Sequence, residues 1–333
     1  MLTTQTASPK KMLNPRVAYG EELLALAAKN SRIVALDADL CKSTMTVLMQ
    51  DKSPDNFVEM GIAEQNMAST AAGLALAGMI PFINSFAVFV TGRCYDQIRQ
   101  AICLPRLNVK VMGSSAGLSD FGDGSTHQSV EDMSLMRSIP NMTVLSPCDA
   151  LEVRKAVRAM VEYDGPDYLR VSRNDMPTLT EESTPFSIGN LLRLAEGDDV
   201  AILATGVMAA EALEARALLE AMQISARVVN VSTLKPLSTE AVLEQVAGVK
   251  CVVTAEEHSV IGGLGSAVAS ALRRNRIPID FVGIQDSFGI SAMSHRELLV
   301  HYGLTAQAIA NAAKDLLWSV TGRSAELTSP KAA

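Results

Sequence analysis

The chain has 333 residues, of which 48% are hydrophobic and only 20% charged, with a net charge of −7. That length accommodates two ordinary domains. The acidic balance argues against nucleic acid or an anionic membrane as the main partner, while so apolar a chain suggests surface buried against another subunit.

Taken in chain order, the first half alternates helix and strand. Tyr19 to Ala28 reads as a helix and Ile33 to Leu36 as a strand ending at Asp37-Ala38-Asp39. Phe57-Val58-Glu59 reads as a short strand, followed by a turn at Gly61 and an Ala-rich helix from Ile62 to Gly78. Pro81 to Phe86 and Asn108 to Met112 read as strands, Asp149 to Glu162 as a helix and Tyr168 to Val171 as a strand. The texture then changes over Met176 to Ser187, the best linker candidate. A second alternating unit follows: strands at Val200 to Ala204, Arg227 to Val231, Cys251 to Ala255 and Ile279 to Gly283, with helices at Val207 to Met222, Ser238 to Val246 and Leu264 to Arg273. Apolar strands between helices predict an α/β protein of two domains, with mainly parallel sheets flanked by helices. The uncharged run from Gln65 to Gly92 imitates a membrane span, but Pro81, Asn84 and Ser85 interrupt it, and it reads as a buried helix followed by a buried strand.

Cys41, Cys94, Cys103, Cys148 and Cys251 include no Cys-x-x-Cys pair, which predicts reduced thiols in a cytoplasmic protein. His127, His258, His295 and His301 have no zinc-type spacing. Before residue 14 no apolar core follows Lys10 and Lys11, so no signal peptide is expected there.

Glu64 is the most informative single residue. It opens the Ala-rich helix, and no other charge follows until Arg93. A carboxylate entering so apolar a region must be paired, protonated or functional, although contact with the helix dipole is an ordinary alternative. Phe86 and Phe89 follow in a chain with few aromatics, as core or as an apolar slot for a flat ring. Asp123 to Gln128 reads as a polar loop presenting His127, and loop histidines are commonly inert. Asp39 passes as a turn acid and Ser43 as a turn hydroxyl or helix cap. Gly262-Gly263-Leu264-Gly265 opens a helix, where turn and close-packing glycines are the ordinary reading.

Together these segments resemble the C-terminal half of transketolase, in order from about Pro15 to Leu317. The carriers are Arg16-Val17-Ala18-Tyr19-Gly20, Leu36-Asp37-Ala38-Asp39-Leu40, Gly61 to Met67, Asn84 to Phe89, Asp123 to Gln128, Pro140 to Thr143 and Glu256 to Gly265. The resemblance implies a pyrimidine-binding domain over residues 14–178, a linker over 179–190 and a transketolase C-terminal domain over 191–320, between flexible segments 1–13 and 321–333. It places the thiamine diphosphate glutamate on Glu64, the ring-stacking aromatics on Phe86 and Phe89, and a cofactor-side segment on Asp39 and Leu40. It places substrate contacts on Asp123 and His127, and phosphate contacts on Arg16, Ser43 and Arg173. Two departures bear on the substrate: Gly113-Ser114-Ser115 stands where relatives often carry a histidine, and Asp120-Phe121 where many carry smaller residues.

The Mg²⁺ and diphosphate motif of such enzymes is Gly-Asp-Gly followed some two dozen or more residues later by Asn. Gly122-Asp123-Gly124 is followed too soon by Asn141, so no metal ligand is assigned to this chain. The expectation is the second subunit of a split transketolase, with the diphosphate domain, Mg²⁺ and several histidines supplied by an N-terminal partner subunit in a heterotetramer built on a dimer of this chain. Glu64 would share a proton with the aminopyrimidine, helped by a desolvated carboxyl, while a two-carbon ketol unit moves from a ketose phosphate to an aldose phosphate. The alternatives are the beta subunit of a 2-oxo acid dehydrogenase, a deoxyxylulose-phosphate synthase fragment and a non-catalytic regulatory homologue.

Overall fold

A computed structural model describes residues 11–322. Most of the two segments expected to be flexible lies outside that range. Within it, Met12–Leu13 forms a strand instead of a loose end, and Gly322 closes the last helix in the left-handed conformation.

Among the described residues the first half supplies β1 (Met12–Leu13), β2 (Ile33–Asp37), β3 (Phe57–Glu59), β4 (Ile80–Phe86), β5 (Lys110–Ser114), β6 (Thr143–Leu145), β7 (Asp167–Arg170) and β8 (Met176–Pro177). The second half supplies β9 (Leu192–Ala195), β10 (Val200–Ala204), β11 (Ala226–Asn230), β12 (Thr233–Lys235), β13 (Cys251–Ser259) and β14 (Ile279–Ile284). One sheet runs β12-β6-β7-β5-β4-β2-β3 and is parallel except for β12 against β6. The other runs β14-β13-β10-β11-β9 and is parallel except for β9 against β11. The two-domain α/β architecture with mainly parallel sheets is therefore the one expected.

Both sheets are covered on two faces, which is why β2 and β4 are buried at every position. The helix Glu64–Leu76 shows how the uncharged run is used. Met67, Ala68, Ala71 and Ala72 share one face and pack with Leu36 and Ile83. Gln65, Ser69, Gly73 and Leu76 lie on the exposed side. Among the described residues no helix is long and apolar enough to cross a membrane.

The expected linker is tied down at its start. Asp149 caps the helix Ala150–Glu162 through the Glu152 amide, and its other oxygen accepts from the amides of Leu179 and Thr180 at 2.7 and 2.6 Å. Just before it, β8 pairs antiparallel with β1, a contact that the texture of Met176 to Ser187 did not announce.

The two halves share more than a linker. β12 belongs to the second half by sequence yet forms the edge of the first sheet. One apolar core runs through both, from Leu36 and Ile83 to Leu203 and Val252. A buried ionic group adds a polar joint. Arg170, at the end of β7, donates to Asp132 at 2.9 Å and to the Glu257 carbonyl on β13 at 2.8 Å. Tyr168 donates to the same Asp132 oxygen at 2.7 Å.

Removing Asp132 takes away the nearer of the two carboxylates that compensate the buried Arg170 charge, the other being Glu257 at 3.8 Å. Asp132→Ala is therefore expected to cost about 3–5 kcal/mol of stability, read from chemical denaturation of the purified chain. A loss under about 1 kcal/mol would mean that Arg170 finds another partner.

Candidate functional site

All the strands of the first sheet except β12 point the same way, so their carboxyl ends gather the loops that follow them. β2 leads to Asp39 and Leu40, β3 to Glu64, β4 to Phe86, β5 to the loop carrying Asp123 and His127, and β7 to Arg173.

The turn after β2 is built on a buried acid. The Asp37 carboxylate accepts from the Leu40 amide at 2.7 Å and from the hydroxyls of Thr44 and Thr46 at 2.6 and 2.8 Å. Burial pushes its pKa up to about 6, against the pull of those hydrogen bonds. Asp39 sits at φ 61°, a left-handed conformation that Asp tolerates. Its amide donates to Glu59 at 2.8 Å, and Glu59 also accepts from the Gly61 amide at 2.9 Å. One carboxylate thus joins the Asp39-Leu40 turn to the turn that starts the Glu64 helix. Close packing fixes the same region: a Cβ on Gly20 would lie 2.6 Å from the Met45 carbonyl oxygen.

Glu64 is the first residue of its helix and is 5% exposed. Of the three states open to it, the structure shows pairing: Arg93 donates to its Oε1 at 2.7 Å. The same guanidinium lies 4.0 Å from the centre of the Phe89 ring. Phe89 stacks with Phe86, centroids 5.8 Å apart and planes at 20°. His127 meets both rings edge-on, at 5.3 Å from Phe89 and 6.1 Å from Phe86. Glu64, Phe86, Phe89 and His127, separated by up to 63 positions in sequence, therefore form one chain of contacts through Arg93.

A second group adjoins it. Arg173 lies 5.8 Å from the Phe86 ring centre and donates to Asp120 at 3.0 Å. Arg16 donates to the Ser43 carbonyl at 3.0 Å, while its Nε is buried without a partner. Arg16 feels both Arg173 and Asp120; burial and then Arg173 hold its pKa below the usual arginine range. Asn14 fastens the two arginines' segments together. Its oxygen caps the helix Pro15–Ala27 at the Arg16 and Val17 amides, and its amide nitrogen donates to the Arg173 carbonyl. Asp123 is exposed beside Asp120, within hydrogen-bonding reach of that carboxyl. The predicted Arg16, Ser43, Asp123, His127 and Arg173 are thus brought to one end of one sheet. The contact made by Ser43 is through its backbone oxygen.

The sequence reading missed two partners here. Arg93 served only as the end of an uncharged run, and Asp120 only as a departure from relatives. Neither pairing has a local signal, because Arg93 is 29 positions from Glu64 and Arg173 is 53 from Asp120. Where relatives often carry a histidine, Ser114 and Ser115 are buried with unpartnered hydroxyls, and Ser115 stands at φ 52°.

The donor set fits part of a flat, nitrogen-containing cofactor: a carboxylate beside an aromatic pair. It does not fit a metal, since no group of three or more His, Cys, Asp or Glu among the described residues is placed to hold one.

Comparison with known proteins agrees with this picture. The family models for the transketolase pyrimidine binding domain and the transketolase C-terminal domain match residues 11–178 and 189–309. A putative transketolase C-terminal section from Methanocaldococcus jannaschii is 42% identical over 89% of this chain and 93% of its own length. A 6-deoxy-6-sulfo-D-fructose transketolase subunit from Clostridium sp. is 43% identical over 90% of this chain and 94% of its own length. Human transketolase is 34% identical over 91% of this chain, which spans only 49% of that protein. A solved structure described as a split gene transketolase, inactive beta4 tetramer, superposes with a TM-score of 0.84 at 44% identity, covering 93% of this chain and 99% of the other.

The Asp37 turn supplies a pH test. Its folded-state pKa, about 6, lies above the ordinary carboxylate value near 3.8. Its contribution to stability is therefore complete below about pH 4 and lost as pH rises through about 6. Asp37→Asn should flatten the melting temperature over that window relative to wild type, a difference on the order of 2–3 kcal/mol. Parallel melting curves for the two proteins between pH 4 and 7 would refute this.

Proposed function

The chain belongs to the transketolase family, and from that premise we propose that it is the C-terminal subunit of a two-chain, thiamine diphosphate-dependent transketolase. The reaction is transfer of a two-carbon ketol unit from a ketose phosphate to an aldose phosphate. The observation that carries this reading is the run of contacts from Glu64 through Arg93 and Phe89 to Phe86 and His127. When bound, thiamine diphosphate supplies a thiazolium carbon that acts as nucleophile and electron sink.

This chain's residues supply one side of the site. Glu64 holds a proton in common with the N1′ nitrogen of the aminopyrimidine. Phe86 and Phe89 seat the ring and keep water from it, with Asp39 and Leu40 along the cofactor's side. His127 donates to sugar oxygens near the reacting carbons, and Asp123 accepts from a neighbouring hydroxyl. Arg16, Ser43 and Arg173 hold the terminal anion, and the unpartnered Arg16 Nε supports that role.

The units are a pyrimidine-binding domain over 14–178 and a C-terminal domain over 191–320, joined by 179–190. Mg²⁺ and the diphosphate are held by the partner subunit, in a heterotetramer built on a dimer of this chain. The near full-length matches to a transketolase C-terminal section, a transketolase subunit and a split gene transketolase described as an inactive beta4 tetramer support an N-terminal partner. The compartment is the cytoplasm, in keeping with five free cysteines, four of them buried.

Glu64→Ala in the assembled enzyme is expected to lower kcat roughly a thousandfold or more at saturating cofactor; near-normal turnover would sink the mechanism. The purified chain alone, given thiamine diphosphate and Mg²⁺, is expected to show no ketol transfer, and robust activity from it would refute the two-chain reading.

A further inference from the structure

A second group of cations gathers where the two halves of the chain meet. A cavity of about 270 Å³ is lined by Arg137 from the helix Asp132–Ser138, Lys235 on β12, Thr239 at the start of the helix Thr239–Val246, and Ser270 and Arg273 at the end of the helix Leu264–Leu272. The chain as a whole carries a net charge of −7, yet the hydrogen bonds of these three cations all go to backbone carbonyls. Arg137 donates to Gly262 and Gly263, Lys235 to Arg137 and Ile139 at 3.0 and 2.5 Å, and Arg273 to Ser270 at 2.9 Å. Among the described residues no carboxylate accepts from any of them.

The acidic groups around them are engaged or neutral. Glu256 acts on Arg137, but its two oxygens accept from the Leu264 and Gly265 amides at 2.6 and 2.8 Å. Burial also pushes its pKa up to about 7, so at neutral pH it opposes Arg137 with less than a full charge. Cys103 acts on Lys235, but burial pushes that thiol up to about 12 and it stays neutral. Glu240, next to Thr239 in sequence, is exposed and accepts from the Ser238 hydroxyl at 3.1 Å. The Arg137 Nε is buried without a partner. Burial holds Arg137 and Lys235 below the usual ranges of their types. Desolvated cations crowded in this way gain from an anion.

We propose that this cavity binds the phosphate group of a small phosphate ester, as a second anion site lined by none of the residues assigned to the candidate site. The inference does not rest on the ketol-transfer reading. Arginine forks match phosphate oxygens in pairs, and a lysine adds a compact point charge. Thr239 and Ser270 bring hydroxyls to the same wall, which donate to such oxygens. The volume lies just under the roughly 300 Å³ at which pockets for drug-sized ligands begin. It suits a phosphate on a short carbon chain rather than a nucleotide. Arg137 comes from the first domain and Arg273 from the second, so a phosphate held by both ties the domains together at their joint.

The test titrates the full chain carrying Arg173→Gln, which weakens the other anion contacts, with glycerol 3-phosphate in a calorimeter. Binding is expected with a dissociation constant on the order of 1 mM or tighter. Adding Arg273→Gln, a change at an exposed position, is expected to weaken it about tenfold, and Arg273→Lys to restore most of the affinity. Glycerol should not bind, and inorganic phosphate should bind no more tightly than the ester. A second measurement locates the site in wild type: glycerol 3-phosphate should slow acetylation of Lys235 several-fold, read by mass spectrometry, and leave Lys29 unchanged. It serves if the Arg173→Gln chain folds poorly. An affinity that moves less than about twofold with Arg273→Gln, or a Lys235 that reacts equally with and without the ester, overturns the proposal. Tighter binding of inorganic phosphate overturns the assignment to an ester.

Discussion

The structure turns on Glu257. It comes from the second domain, is 1% exposed, and reaches into the first. One oxygen accepts from the Leu118 amide at 3.1 Å and meets His295 at 2.6 Å, and its carbonyl takes the Arg170 guanidinium. Gly117 is glycine for this reason: a Cβ there would lie 2.3 Å from the Glu257 carboxylate, and φ is +65°. The loop that begins at Gly117 carries Asp120, Asp123 and His127. A buried carboxylate of the second domain therefore sets the starting point of a loop on which the candidate site depends, although none of the second domain's residues is assigned to that site.

The strain in the site follows the same plan. Asp39 and Ser115 occupy left-handed backbone conformations just after the ends of β2 and β5. Each costs of order 1 kcal/mol or more and persists only where neighbours determine it. At Asp39 the neighbour is Glu59, and beside it Asp37 holds the Leu40 amide. Acids that look interchangeable in the sequence thus divide into those that build turns, such as Asp37 and Glu59, and those such as Glu64 and Asp120 that face arginines.

What the sequence made legible was what repeats along it. The apolar strands, the small-residue face of the Glu64 helix and the two alternating units follow from periodicity and burial. The helix over Pro15–Ala27 begins four residues before the expected start because Asn14 caps it and Pro15 suits the first turn, a signal that was present and unused. Convergence of Glu64, Phe86, Phe89 and His127 came from resemblance, since parallel strands bring distant loops together without any local mark. Arg93 and Asp120 stayed hidden because an ion pair is a property of two places in the fold. The strand Thr233–Lys235 was hidden too. Three residues with no alternation carry no strand signal until the edge of β6 is there to receive them.

That short strand has a consequence for how the molecule can be divided. A protein cut at its linker would leave β6 with a bare row of amides and carbonyls along its open side. Such an exposed edge is a template for pairing with other chains, and natural sheets guard against it with charge, bulges or cover. Here the cover is lent by the neighbouring domain. The two halves are thus separable in sequence alignment but share a sheet, and the unit that can be expressed or exchanged with its edges covered is the pair.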